Sequence, residues 1–86
     1  MAGYVVRLAL PDRPGALGLV ASRIGAVGGD IVAIHILDRE DGRAVDEFVI
    51  EIEGKHLIEL LQNEIHEVDG VAVEEIREAG TTAPTG

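Results

Sequence analysis

The sequence contains no cysteine and no tryptophan among its 86 residues, and its only aromatic residues are one tyrosine and one phenylalanine. Without cysteine the chain has no disulfide framework, no thiolate metal site and no thiol nucleophile. With so few aromatic rings it has no platform on which bases can stack, which argues against recognition of single-stranded RNA. The core must therefore be aliphatic.

Positive charge is scarce as well. Seven Lys and Arg residues stand against 16 Asp and Glu residues, giving a formal net charge of -9 and a sequence pI of about 4.5. Binding to DNA depends on basic side chains that displace counterions from the phosphates. We therefore expect an acidic protein that does not bind nucleic acid.

Long hydrophobic runs are also missing. No apolar run approaches the roughly 20 residues that a membrane-spanning helix needs, and the residues before Pro11 lack the pattern of a signal peptide. We expect a cytoplasmic protein without a membrane partner. Since 86 residues suffice for one core and not for two, we expect one domain over 1–78 and a disordered tail of small residues over 79–86.

Hydrophobic periodicity predicts six elements in the order βαββαβ. The predicted strands cover 4–10, 31–37, 43–52 and 71–77, and the predicted helices cover 15–27 and 55–67. Right-handed crossovers would place both helices on one face of a four-stranded antiparallel sheet. The sequence therefore predicts an α+β fold of the ferredoxin-like type. Gly18 and Gly25 each weaken the first helix by about 1 kcal/mol relative to Ala, so we expect both to lie close against the sheet.

The second predicted strand is almost entirely apolar, which favours a central strand or an interface strand. Its side chains alternate between two faces, one with Val32, Ile34 and Ile36 and the other with Ile31, Ala33, His35 and Leu37. If both helices cover one face of the sheet, one of these two sets is left to water. An exposed apolar patch generally marks an association surface, so we expect a homodimer or a higher homo-oligomer.

The chain offers no catalytic constellation. An acylphosphatase-like enzyme would need Arg13 in the first strand–helix loop together with an Asn that orients water, but the only Asn is Asn63 on the second predicted helix. His35 has no second His or Cys near it on its strand, so we expect an ordinary packed or hydrogen-bonded side chain. We therefore expect no catalytic residue, no metal site and no cofactor.

Two segments carry a family resemblance. The loop after the first strand consists of Asp12, Arg13, Pro14, Gly15, Ala16 and Leu17, and two glycines followed by Asp30 and Ile31 open the second strand. Together with Asp46, Phe48 and Ile50 on the third strand, these segments resemble the ACT domain, a small regulatory module of amino-acid metabolism, over roughly 4–77. The resemblance implies a non-catalytic protein that binds a small ligand, usually an amino acid, at an interface between two domains and signals to a metabolic enzyme.

The start of a helix is suited to bind a carboxylate, because its unpaired N–H groups carry a partial positive charge. Gly15 lets a ligand approach the backbone. We therefore expect the carboxylate of an amino acid on the N–H groups of Gly15, Ala16 and Leu17. Asp12 would accept its ammonium group, and Asp30 of a neighbouring copy would accept a second hydrogen bond.

Simpler roles for these residues remain open. Asp12 could be the N-cap of the helix, Asp30 could be only a turn residue, and Arg13 could be solvated. Ligand-binding members of the family often have Asn at the two Asp positions, so two carboxylates favour a cationic or ammonium-rich ligand, or none. The alternative function is a structural dimerisation or docking module for a metabolic enzyme, without a ligand of its own.

Overall fold

The predicted order of elements is confirmed in a computed structural model of the chain, which describes residues 2–79. The elements are strand β1 (Ala2–Pro11), helix α1 (Ala16–Ala26), strand β2 (Asp30–Glu40), strand β3 (Arg43–Ile52), a 3-10 turn (Lys55–Leu57), helix α2 (Ile58–His66) and strand β4 (Ala72–Glu78). The predicted tail over 79–86 lies outside the described residues except for Ala79, whose N–H donates to the carbonyl oxygen of Gly3 at 2.8 Å.

The four strands form one antiparallel sheet in the order β2-β3-β1-β4. The α+β, ferredoxin-like fold expected from the sequence is therefore confirmed. β1 and β3 lie in the centre and pair over their full lengths, from Ala2 with Ile52 to Pro11 with Arg43. β2 lies at an edge, so of the two roles predicted for its apolar run the central strand is wrong and the interface strand stays a prediction.

The core lies between the two helices and one face of the sheet. Alternate residues of β1 and β3 point into it, and both helices add a stripe of aliphatic side chains. The largest fully buried side chains are Val6, Leu8, Val20, Ile24, Phe48, Ile50, Ile52, Leu61 and Ile65. Each contributes about 1.5–3 kcal/mol by its removal from water, so this aliphatic layer is the main source of stability.

Glycines end α1 and turn the β2–β3 hairpin. The N–H of Gly28 donates to the carbonyl oxygen of Gly25 at 2.9 Å and that of Gly29 to Ile24 at 3.0 Å, the pair of bonds of a Schellman motif. Gly28 has a φ of 82°, which side chains rarely adopt. In the hairpin, Asp41 and Gly42 also have positive φ values, 55° and 78°, as a two-residue type I′ turn requires.

The two glycines inside α1 do not pack against the sheet, so that expectation is wrong. Gly18 and Gly25 are both exposed, and a Cβ atom at either position would meet nothing within 4 Å. They face away from the core because the buried stripe of α1 consists of Ala16, Val20 and Ile24. Their helix-weakening effect therefore has no compensating contact.

The face of the sheet opposite the helices is charged at its centre. Arg7 lies 2.9 Å from Glu47 and 3.5 Å from Glu75, and Arg77 lies 3.6 Å from each of these two carboxylates. Four side chains from three strands thus form one ion-pair network on the face that the helices leave open.

Four of the seven exposed large apolar side chains of residues 2–79 lie on the edge strand β2, the strand whose sequence predicted an exposed apolar set. Val32 is 56% exposed, Ile36 60% and Leu37 49%. Strict alternation grouped Ile31 apart from Ile34, but the register shifts between Ile31 and Ala33, so that Ile31 and Ile34 lie opposite the core residues Ile50 and Phe48. Both therefore lie on the helix side of the sheet. Among residues 2–79, neither helix has the length and apolar character needed to cross a membrane.

Candidate ligand site

The loop between β1 and α1 leaves the start of the helix without a side-chain cap. Gly15 is the N-cap residue with a φ of 88°, and no side chain bonds to the N–H groups of the first turn. Asp12 therefore does not cap the helix, contrary to one of the two roles expected for it. Its own N–H donates to the carbonyl oxygen of Gly42 at 2.8 Å, which fastens the loop to the hairpin turn.

The N–H groups of the loop are unequal. That of Ala16 donates to the carbonyl oxygen of Arg13 at 3.2 Å. Those of Gly15 and Leu17 have no backbone acceptor within residues 2–79. Unpaired N–H groups at the start of a helix attract anions, so two of the three N–H groups expected to bind a carboxylate are available.

The carboxylate of Asp12 is already engaged by Arg39 of β2. The guanidinium of Arg39 donates from Nε to Oδ2 at 3.2 Å and from Nη2 to Oδ1 at 3.1 Å. These bonds raise the pKa of Arg39 above its usual value. Because both side chains reach solvent, water screens the pair and its contribution to stability is small. Asp12 is therefore occupied within its own chain.

Beside this pair lies a cavity of about 230 Å³. Its polar lining comes from Asp12, Arg13, Arg39 and Asp46. Its apolar lining comes from Leu10, Pro11, Leu17, Ile36 and Ala44. The cavity therefore combines the ends of β1 and β2 with the start of α1 and of β3.

Asp46 is the buried charge of this cavity. It is only 4% exposed, and its Oδ1 is the one buried side-chain polar atom without a hydrogen-bond partner among residues 2–79. Burial raises the pKa of Asp46; nearby Arg39 acts in the opposite direction and Asp12 reinforces the rise. A buried acceptor without a donor is costly, so this carboxyl group is suited to take a donor from outside the chain.

Neither Asp46 nor Arg39 was expected from the sequence to contact a ligand. Alternation along β3 could have identified Asp46, because it shares a face with Ala44, Phe48 and Ile50, all of which are buried. Nothing local marks Arg39, since its role depends on the register that brings the end of β2 beside the loop.

The other predicted site residues lie in two places. Pro14 and Gly15 are exposed beside the cavity and do not line it. Asp30 and Ile31 lie at the opposite end of β2, where Asp30 is exposed and Ile31 packs against the core. Ten residues of strand, about 33 Å, separate Asp30 from Glu40. One chain therefore brings together Asp12, Arg13 and Leu17 but not Asp30.

A larger, open cleft of about 550 Å³ lies between α2 and β4. Tyr4, Lys55, Ile58 and Gln62 line it together with residues 73–78 of β4. The described residues contain no unpartnered buried polar atom at this cleft, and they hold no group of three or more His, Asp or Glu that could bind a metal ion. The smaller cavity is therefore the better candidate for a specific ligand.

The sequence matches no family model and no curated protein. Solved structures do resemble the fold. A protein of unknown function from Galdieria sulphuraria is 17% identical with a TM-score of 0.78 over 96% of this chain, which spans only 48% of that chain.

Two further similar structures are ACT domains. The ACT domain of the GTP pyrophosphokinase of Chlorobium tepidum is 17% identical with a TM-score of 0.67, over 91% of this chain and 97% of that one. An ACT domain protein from Streptococcus pneumoniae is 19% identical with a TM-score of 0.68, over 90% of this chain and 89% of that one. The chain therefore has the fold of the ACT domain family, as its sequence motifs implied.

Proposed function

We propose that this protein is a non-catalytic regulatory module that binds an amino acid or a related small metabolite at the loop between β1 and α1. The observation that carries this proposal is the uncapped start of α1 beside a cavity with a buried, unpartnered carboxyl group. A similar domain belongs to a GTP pyrophosphokinase, which supports a role in signalling to a metabolic enzyme.

The carboxylate of the ligand would lie at the start of the helix. The N–H of Leu17 is available there, Gly15 has no side chain to block the approach, and Arg13 lines the same cavity. An anion gains from both the helix dipole and the unpaired N–H groups. The arrangement is typical of a carboxylate site.

A second copy would complete the site. β2 is an edge strand with free hydrogen-bonding groups along its outer side, and its side chains Val32, Ile36 and Leu37 are each about half-exposed. If two copies meet antiparallel along β2, the start of one β2 lies beside the end of the other. Asp30 of the neighbouring copy would then lie near Asp12 and Arg39. Within one chain these residues cannot meet, because Asp30 lies at the other end of β2, a strand about 33 Å long.

A thermal-shift screen over the twenty amino acids, followed by isothermal titration, tests this function. A ligand that binds only the folded protein must raise its melting temperature. Arg13→Ala should weaken binding of the responding amino acid by about two- to fivefold, since an exposed charge pair contributes up to about 1 kcal/mol. Arg23→Ala, which removes the same charge at the other end of α1, should not.

If neither an amino acid nor a related amine raises the melting temperature, the proposed function is wrong. The alternative is then a dimerisation or docking module without a ligand, a function that the exposed apolar residues of β2 favour. In that case light scattering should still detect an oligomer, or a partner enzyme should bind along β2.

A further inference from the structure

The cavity beside the loop has one acceptor that its own chain does not use. Both carboxylate oxygens of Asp12 accept hydrogen bonds from Arg39, whereas Oδ1 of Asp46 is buried without a donor. We propose that Asp46, rather than Asp12, receives the ammonium group of the ligand, and that the ligand is a small aliphatic molecule with a primary ammonium group. This inference rests on the proposed function and names the chemistry of the same site.

The charges of the lining favour a cation at this position. Arg39 donates its fork of N–H groups to Asp12, which leaves Asp46 without a bonded cation. A primary ammonium has three donors, so it can satisfy Oδ1 of Asp46 and still donate to another oxygen. A hydrogen bond between charged groups in a buried site is about twice as strong as a neutral one. The site therefore distinguishes an amine from an uncharged analogue.

The apolar lining limits the body of the ligand. Leu10, Leu17 and Ile36 offer aliphatic surface, and none of the lining residues is aromatic. The volume of about 230 Å³ is below the roughly 300–1,000 Å³ of pockets for drug-sized molecules. A body of a few carbon atoms, such as a branched aliphatic group, fits this lining better than an indole or a long charged chain.

The carboxylate end of such a ligand has a place as well, although the inference does not depend on it. Arg13 lines the cavity and forms no ion pair within residues 2–79. An aliphatic amino acid and a free aliphatic amine share the ammonium group and differ in this carboxylate. Experiment can therefore distinguish an amino acid from a free amine as the ligand.

The experiment compares three probes that share one branched aliphatic group, on the full chain, by thermal shift and isothermal titration. L-Valine has both charged groups, isobutylamine keeps the ammonium and lacks the carboxylate, and 2-hydroxyisovalerate keeps the carboxylate and lacks the ammonium. L-Valine should raise the melting temperature with increasing concentration, and 2-hydroxyisovalerate should not. A response to isobutylamine as well would identify a free amine as sufficient, whereas a response to L-valine alone would identify an amino acid.

Asp46→Asn should weaken the binding of the responding probe about tenfold or more, because it removes the charge from a buried hydrogen bond. Glu47→Gln is the matched control. It makes the same change at the next residue of β3 but on the opposite face of the sheet, so binding should stay within about twofold. Since the comparison of the three probes uses the unmodified chain, it tests the inference even if a variant folds poorly.

Several results would overturn the inference while the proposed function stands. These are equal binding of 2-hydroxyisovalerate and L-valine, unchanged affinity in Asp46→Asn, and a screen in which only aromatic or charged amino acids respond. If no amino acid and no amine raises the melting temperature, the inference and the proposed function are both wrong.

Discussion

Asp46 and Glu47 are adjacent on β3, but their carboxyl groups lie on opposite faces of the sheet and have opposite pKa shifts. Burial raises the pKa of Asp46 above its ordinary value of 3.8. Hydrogen bonds from Arg7 lower the pKa of Glu47 below its ordinary value of 4.5, and Arg77 adds to this effect. One carboxyl group therefore opposes folding when it is charged, and the other supports it.

These directions predict opposite pH profiles for Asp46→Asn and Glu47→Gln. The folded state binds the Asp46 proton more tightly than the unfolded state, so stability is lost as the pH rises from about 3.8 through the folded pKa. Asp46→Asn should thus raise the melting temperature at pH 7 by a few degrees, equivalent to about 1 kcal/mol. The gain should vanish below pH 3.8, where Asp46 is protonated in both states.

Glu47 contributes stability that is complete above its ordinary pKa of 4.5 and is lost as the pH falls through its lower folded pKa. Glu47→Gln should therefore lower the melting temperature at pH 7, and the difference from the unmodified chain should shrink in acid. Calorimetry of both variants at several pH values between 2.5 and 8 measures these profiles. If the stability of both variants changed with pH in the same direction, the opposite pKa shifts of Asp46 and Glu47 would be contradicted.

At the scale of single residues, the sequence predicted the residues of the β1–α1 loop but not the residues of β2 and β3 that lie beside this loop. Asp12, Arg13 and Leu17 were identified because a motif places them after a strand and before a helix. Arg39 and Asp46 were missed because their role depends on strand register, which is a long-range property. The expected contact between Asp12 and an ammonium group stays a prediction, and Arg39, which that prediction did not include, donates two hydrogen bonds to the same carboxylate.

At the scale of elements, β3 was predicted with its observed bounds, Arg43–Ile52, because its alternation follows from one buried and one open face. β2 was predicted too short, and of its two predicted roles the central strand is wrong. Its register shifts twice against β3, and a pattern of period two does not show such bulges. Its apolar run suggested burial on both faces, although as an edge strand it keeps several of these side chains exposed in a single chain.

Helix α1 contains a glycine whose replacement by alanine should stabilise the protein without loss of contacts. Gly25→Ala should raise stability by about 0.5–1 kcal/mol, because alanine restricts the unfolded chain and favours the helix, and the new Cβ meets nothing within 4 Å. Gly28→Ala is the control. It lies three residues further on with a φ of 82°, where a side chain is strained, so it should destabilise the protein.

Urea denaturation of both variants measures these changes in the free energy of unfolding. A destabilising Gly25→Ala would mean that Gly25 contacts something beyond the single chain, such as a second copy. Equal effects of the two substitutions would contradict the difference in backbone conformation between Gly25, which is helical, and Gly28, which has a positive φ.

At the scale of the whole molecule, charge and apolar surface are separated, and this separation predicts where copies of the chain would associate. The open face of the sheet carries the network of Arg7, Glu47, Glu75 and Arg77. Its burial against a second sheet would remove these charges from water at a cost. The edge of β2 carries exposed aliphatic side chains and unpaired backbone groups, and its burial is favourable. We therefore expect copies to associate along the edge of β2 rather than by face-to-face stacking of their sheets.

This preference yields a test that links assembly to ligand binding. Leu37 is 49% exposed on β2, does not line the cavity, and would meet a second copy at the edge. Leu37→Glu should shift the protein towards monomers in sedimentation velocity or light scattering, because it places a charge in an apolar interface. Leu60→Glu is the matched control, since Leu60 is 46% exposed on α2, away from β2.

If the neighbouring copy completes the ligand site through Asp30, Leu37→Glu should also reduce the thermal shift caused by the responding amino acid, although every cavity residue is intact. The ligand should in turn strengthen association, because coupling between two binding events is reciprocal. A monomeric Leu37→Glu variant that binds the ligand with unchanged affinity would show that one chain suffices for binding. An unchanged oligomer in Leu37→Glu would instead place the interface away from the edge of β2.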